Sequence, residues 1–184
     1  TNNVFINIYP MIIGKFNEAT QVGYYTRALS FRSLPTIMIA RMYGQVTYVV
    51  LAEVKDDKKR FLEIYSKLMK VLMFLSCFIL FSFAACARPL ILFLIGEKWE
   101  SSIEMFQWIA IGGVFVIIQS YLSNVLNVYG KSAWQLKALI YSRFLNLIII
   151  IITAPMGIMP IIYGQVIAEI LNVIILQWFC APLL

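Results

Sequence analysis

Arg41 is the residue of this chain most in need of a chemical explanation. It lies within an apolar run, roughly Leu34–Leu51, with Gln45 four residues on and Tyr48 seven residues on. If the run is helical, the three side chains share one face. A charge at the centre of a membrane helix costs about 2.5–3.5 kcal/mol on insertion scales, so it turns toward a bundle interior or a water-filled cavity. A guanidinium presents parallel N–H donors, a geometry that suits phosphate. The stripe of cation, amide and phenol therefore reads as a site for an anionic group. The competing reading is a structural Arg held by backbone carbonyls or by a carboxylate on another helix.

Glu169 poses the same question with the opposite sign. It sits mid-way along an apolar run, with Gln165 at i−4 and Asn172 at i+3. A carboxylate at that depth suggests proton or Na⁺ coupling, or a partner for Arg41. An interhelical hydrogen-bond pin is the plainer alternative. Polar residues recur at about one-turn spacing elsewhere: Gln119, Ser123, Asn124 and Asn127 on one segment, and Ser142, Arg143 and Asn146 on another. Together the stripes imply helices around a wet interior, with Arg41, Gln45, Tyr48, Asn124 and Asn146 as cavity candidates and Glu169 as the ion-coupling candidate.

Other chemistry is poorly supplied. The chain has no His, and no phosphate-binding Gly loop, Ser nucleophile elbow, CxxC pair or HExxH motif. Cys77, Cys86 and Cys180 all fall in apolar runs and fit neither a metal spacing nor a disulfide framework. The acidic residues outside the apolar runs cluster in loops, with no paired carboxylates placed for catalysis. We expect no metal, no cofactor and no enzyme activity.

The elements that must position these residues are membrane helices. The chain of 184 residues is 61% hydrophobic and 13% charged, where a soluble domain carries about 25% charged residues. Mean hydropathy is +0.84. A span needs about 20 mostly apolar residues, and the runs here far exceed the 4–8 residues of buried strands. The expectation is an all-α membrane protein, a six-helix transmembrane bundle forming a single lobe over residues 1–184. Its helices fall roughly at 1–13, 34–51, 61–86, 103–129, 134–153 and 161–179. The chain opens without Met and stops in hydrophobic sequence, so the first helix is read as clipped.

Between the helices, Gly14–Ser33 reads as a polar connector, and Pro35 suits a first helical turn. Ala52–Arg60 reads as a charged loop, and Arg88-Pro89 as a helix break before a short interfacial or re-entrant piece anchored by Trp99. Gly130-Lys131 ends one helix, and Pro155, Gly157 and Pro160 make a tight turn. Tyr24, Tyr25 and Trp99 read as interface anchors.

Alternate connectors should face opposite sides. One side holds Lys15, Arg27, Arg32, Arg88 and Lys98. The other holds Lys55, Lys58, Lys59, Arg60, Lys67, Lys70, Lys131, Lys137 and Arg143. The Lys/Arg excess makes the second side cytoplasmic and puts both ends of the chain there. The net charge of +6 is thus accounted for by topology, and no nucleic acid is expected as a partner.

An ordered set of short strings carries a family resemblance: Ile12-Ile13-Gly14-Lys15-Phe16, Gly23-Tyr24-Tyr25-Thr26-Arg27-Ala28, Leu34-Pro35, Gly96-Glu97-Lys98-Trp99 and Asn127-Val128-Tyr129-Gly130-Lys131. The chain resembles the polysaccharide-transport family, the O-antigen and exopolysaccharide flippases of the multidrug/oligosaccharidyl-lipid/polysaccharide exporter superfamily. The resemblance implies two pseudo-symmetric six-helix lobes, of which this is the second. The missing N-terminal lobe would be its partner, in the inner membrane of a bacterium. It also implies movement of undecaprenyl-pyrophosphate-linked oligosaccharide by alternating access, with Arg41 placed where the family keeps cavity cations. Two rival functions stand beside it. A cation-coupled multidrug exporter would favour an acidic cavity, and a membrane glycan polymerase or ligase would carry a large catalytic loop. A purely structural subunit is a third alternative.

Overall fold

The computed structural model describes residues 8–16 and 18–183, and among them every regular element is helical. We number the helices α1 (Ile8–Phe16), α2 (Ala19–Glu53), α3 (Lys58–Ala85), α4 (Ala87–Ile95), α5 (Ser102–Val128), α6 (Ser132–Thr153) and α7 (Ile158–Cys180). Single 3₁₀ turns sit at Glu97–Trp99, Ala154–Met156 and Ala181–Leu183. Four stretches are long and apolar enough to cross a membrane: Lys58–Ala85, Ser102–Val128, Ser132–Met156 and Ile158–Leu183.

The largest correction to the sequence reading is α2. The expected polar connector 14–33 is mostly helix, and the expected helix 34–51 is only its second half. The whole element holds 35 residues, a length of about 52 Å at 1.5 Å per residue. That exceeds the hydrocarbon core of about 30 Å. A helix of this length outruns the lipid, and the polarity of its first half did not signal a loop, because Tyr25 and Arg32 turn into the bundle. Pro35 lies inside this helix and not in its first turn. An interior proline costs about 3 kcal/mol, so packing against neighbours must outweigh it. The Thr36 hydroxyl donates to the Arg32 carbonyl at 2.8 Å, next to the break in the backbone ladder. The buried positions of α2, Tyr25, Ala28, Thr36, Ile39, Thr47 and Leu51, recur at helical spacing along one face.

Two further boundaries differ. The charged loop expected at 52–60 shrinks to residues 54–57, because α3 starts at Lys58 with Asp57 as its N-cap. The Asp57 carboxylate accepts from the Arg60 backbone N–H at 3.1 Å. The break expected at Arg88-Pro89 falls at Cys86. Pro89 becomes the third residue of α4, where its lost N–H is already without a partner. The first expected helix, 1–13, falls within the described residues only from Ile8 onward.

Two hydrophobic clusters hold the bundle. One joins Leu51 and Val54 to Phe61 and Tyr65, to Leu122 and Val125, to Ala138 and to Cys180. The other joins Tyr25 and Ala28 to Ala87 and Ile91, to Met105 and Phe106, to Ile150 and to Ile161. The first cluster thus gathers the C-terminal ends of α2, α5 and α7 with the N-terminal ends of α3 and α6, and the second gathers the reverse. The long helices alternate in direction, as short connections require. The turns at 54–57 and 129–131 share one end, where Phe61 and Tyr129 meet with ring centroids 5.2 Å apart. Helix α5 threads both clusters and is the central element.

Candidate functional site

Between the two clusters, at the middle of α5, lies a buried ion pair. Arg32 Nη1 donates to Glu169 Oε1 at 2.8 Å, and both side chains are nearly nine-tenths buried. Gln165 Nε2 donates to the same oxygen at 3.3 Å, and the Tyr25 hydroxyl donates to Gln165 Oε1 at 2.9 Å. Gln119 Nε2 donates to the Glu169 backbone carbonyl at 3.0 Å. Tyr25 and Arg32 stand seven residues apart on α2, and Gln165 and Glu169 four apart on α7, so each pair shares a face. The network ties α2, α5 and α7 together halfway along α5 and α7.

The sequence provides the space for it. Gly112 and Gly113 are consecutive on α5. A Cβ at Gly112 would fall on Glu169 Oε2, and one at Gly113 would come within 3.1 Å of the Arg32 side chain. Glycine inside a helix costs roughly 0.5–1 kcal/mol relative to alanine. Here that cost opens a slot for the carboxylate and for the aliphatic part of Arg32. Glu169 Oε2 and Arg32 Nε are buried without a hydrogen-bond partner among the described residues.

One of the alternatives for Glu169 was a pairing with Arg41, and this is corrected: Arg32 takes that place. Arg32 escaped the sequence reading because it fell in the supposed connector. Its signal was the seven-residue step from Tyr25, together with two adjacent glycines in an otherwise apolar helix. Tyr25 is corrected too. It is 1% exposed and belongs to the network, not to the membrane interface. Tyr24 packs edge-on against Trp99 at 5.8 Å, and Arg27 lies 5.2 Å over the same ring, an arrangement suited to an anchor.

Arg41, Gln45 and Tyr48 form the expected stripe on α2, opposite its packed face, and all three are exposed in this chain. Arg41 makes no ion pair or hydrogen bond among the described residues. Asn124 sits at the edge of this stripe, because Gly44 brings α2 close to α5: a Cβ at Gly44 would lie 3.2 Å from Asn124 Nδ2. Asn146 is elsewhere. It accepts from Asn172 Nδ2 at 3.2 Å in a cavity of about 930 Å³ between α5 and α6, lined also by Gln119, Ser123, Ser142 and Arg143. The two places are neighbours, since Ser120 of α5 lines both that cavity and the α2–α5 seam beside Gly44. The five expected cavity residues thus divide among a free α2 face (Arg41, Gln45 and Tyr48), the α2–α5 seam (Asn124) and the α5–α6 pocket (Asn146). Among the described residues no three His, Cys, Asp or Glu side chains converge on a metal-binding position.

These features define a multi-pass helical membrane protein with charged and polar groups held at membrane depth. The family model described as "Polysaccharide biosynthesis protein" matches residues 1–104, and the chain belongs to that family. It is 24% identical to the teichuronic acid biosynthesis protein TuaB of Bacillus subtilis (strain 168), over 71% of this chain and 27% of that one. It is 20% identical to the lipopolysaccharide biosynthesis protein WzxC of Escherichia coli (strain K12), over 95% of this chain and 36% of that one. It is 23% identical to an uncharacterized membrane protein in the cps region of Klebsiella pneumoniae, over 96% and 35%. The chain therefore spans about a third of the length of the curated relatives it matches. No solved structure matches it.

Proposed function

We propose that the chain is one lobe of a flippase that carries a lipid-linked, pyrophosphate-bearing oligosaccharide across a bacterial cytoplasmic membrane. One observation carries the reading. Arg41 is a cation within a long helix, exposed and unpaired among the described residues, on one stripe with Gln45 and Tyr48. Arg32 and Glu169, by contrast, neutralise each other inside the lobe. Arg41 is thereby left to an anion from outside the lobe, and the pyrophosphate supplies one. The names of TuaB and WzxC, both polysaccharide biosynthesis proteins, support the same substrate class. The connector end that holds Lys55, Lys58, Lys59, Arg60 and Lys131 would face the cytoplasm. A second six-helix lobe elsewhere in the full-length protein would close the cavity and supply alternating access.

A cation-coupled multidrug exporter fits less well, because an unpaired Arg repels cationic substrates. Coupling of an ion at Glu169 would have to compete with the charge of Arg32, which already holds Oε1.

The test is export of surface polysaccharide by the full-length protein with Arg41→Ala and Arg41→Lys, at matched expression. A charged hydrogen bond contributes about 1.5–3 kcal/mol, so Ala is expected to weaken substrate binding roughly 10- to 100-fold. Lys keeps the charge without the planar fork and should retain part of the export. Unchanged export by Arg41→Ala would remove the anion role.

A further inference from the structure

Helix α3 has an outward face that the proposed transport site does not use. Its buried residues, Phe61, Tyr65, Leu72, Ser76 and Leu80, turn to the bundle. The helical period puts Lys67, Lys70, Phe74, Phe78 and Phe81 together on the opposite side, and all five are exposed. Phe74 and Phe78 are 74% and 65% exposed, and their rings stack with centroids 6.3 Å apart. Neither lysine has an ion pair or hydrogen bond among the described residues. On the same stripe, Arg60 and Glu63 precede them and cancel in charge. The two lysines are left uncompensated.

The stripe has the dimensions of one lipid molecule. From Lys70 to Phe81 the helix rises about 17 Å, close to the depth of one leaflet, half of a hydrocarbon core of about 30 Å. Helix α3 ends at Ala85. Counting about 20 residues of span back from there sets the hydrocarbon boundary near Ser66, beside the lysines. Cations therefore stand at headgroup depth, with an aromatic strip for acyl chains directly below. A second copy of the chain suits this face poorly. Copies share one orientation in the membrane, and a two-fold contact would set these lysines against themselves. A zwitterionic headgroup brings its own ammonium to compete with them. A headgroup with net negative charge does not.

We propose that this face of α3 binds a two-chain anionic phospholipid of the surrounding bilayer. Its phosphate meets Lys67 and Lys70, and an acyl chain lies along Phe74, Phe78 and Phe81. The site does not depend on the flippase reading, and it stands whether or not Arg41→Ala impairs export.

The experiment uses the full-length protein with Ser82→Cys as its single thiol, all other cysteines being replaced, and a bimane label on that thiol. Ser82 follows Phe81 and is exposed beside the stripe. Quenching is measured in phosphatidylcholine vesicles that contain brominated phosphatidylglycerol or brominated phosphatidylcholine. Each lysine near an anionic headgroup contributes about a fivefold preference, so the anionic lipid should be favoured roughly 10- to 30-fold. Lys67→Gln or Lys70→Gln should lower the preference about fivefold, and the double variant should abolish it. Quenching by brominated phosphatidylcholine should persist in every variant and reports that the face still stands in lipid. Lys137→Gln, which removes an exposed cation from α6, should change nothing.

Equal affinity for the two lipids would overturn the proposal, since the lysines would then only reach up to water. An equal loss in Lys137→Gln would overturn it too, because the attraction would belong to the surface as a whole. A label quenched by neither lipid would show the face covered by protein, from the rest of the chain or a second copy. Displacement of brominated phosphatidylglycerol by undecaprenyl pyrophosphate at far lower mole fraction would give the face to that lipid instead.

Discussion

Glu169→Ala is expected to destabilise the full-length protein by about 3–5 kcal/mol, the range for breaking a buried ion pair from one side. The variant leaves Arg32 inside the bundle with no countercharge, and a guanidinium cannot shed its proton to escape. Arg32→Ala strands a carboxylate instead, which can become neutral by taking up a proton, so its loss should be the smaller of the two. The pair itself need not favour folding over an apolar alternative. Replacing both residues at once with apolar ones of similar size is often neutral or stabilising by about 1–4 kcal/mol. The double variant Arg32→Met, Glu169→Leu should therefore recover most of what either single alanine loses. Unfolding in detergent, by heat or by increasing SDS, would show the order: double variant above Arg32→Ala, and Arg32→Ala above Glu169→Ala. If the double variant were as unstable as Glu169→Ala, the ion pair would not be what holds α2 to α7.

This pair also marks how far a single sequence can be read. Arg41, Gln45 and Tyr48 were legible because one helix carries all three, and its period alone places them on one face. The long apolar helices were legible from composition, since lipid leaves a helix little choice. The partner of Glu169 was not, because Arg32 is 137 positions away and no local rule connects them. The error over α2 has a different cause. Polar residues between apolar runs mark a loop when the helix ends at the membrane surface. In α2, a helix of about 52 Å, the polar residues Tyr25 and Arg32 instead turn into the bundle and pair with Gln165 and Glu169 of α7. Asn124 and Asn146 illustrate a third limit. Each lies on a polar stripe of its helix, but which helix each stripe faces depends on packing. Gly44 sets Asn124 against α2, whereas Asn146 turns to Asn172 of α7.

Gly112→Ala should reverse its sign with its background. In an ordinary helix interior the change gains about 1 kcal/mol, because alanine is the better helix former. Here the new methyl would occupy the position of Glu169 Oε2. The carboxylate sits at the end of a flexible side chain, so it can move, but moving takes it off Arg32. The cost is then that of the broken pair, about 3–5 kcal/mol, less the helix-propensity gain of about 1 kcal/mol. A net loss of roughly 2–4 kcal/mol follows. In a Glu169→Ala background the slot is empty, and the same Gly112→Ala should stabilise by about 1 kcal/mol. A double-mutant cycle over positions 112 and 169 would measure the coupling directly. A sign reversal would identify the glycine as the seat of the ion pair. Equal losses in both backgrounds would mean that α5 cannot accept any side chain there. Val166, whose side chain would lie 3.4 Å from the added methyl, would then be the constraint. Fold and function meet at this slot, because Gly112 lets α2 lie close enough to α7 for Arg32 to be neutralised internally. That neutralisation leaves Arg41, nine residues further along the helix, as the cation exposed on its free face.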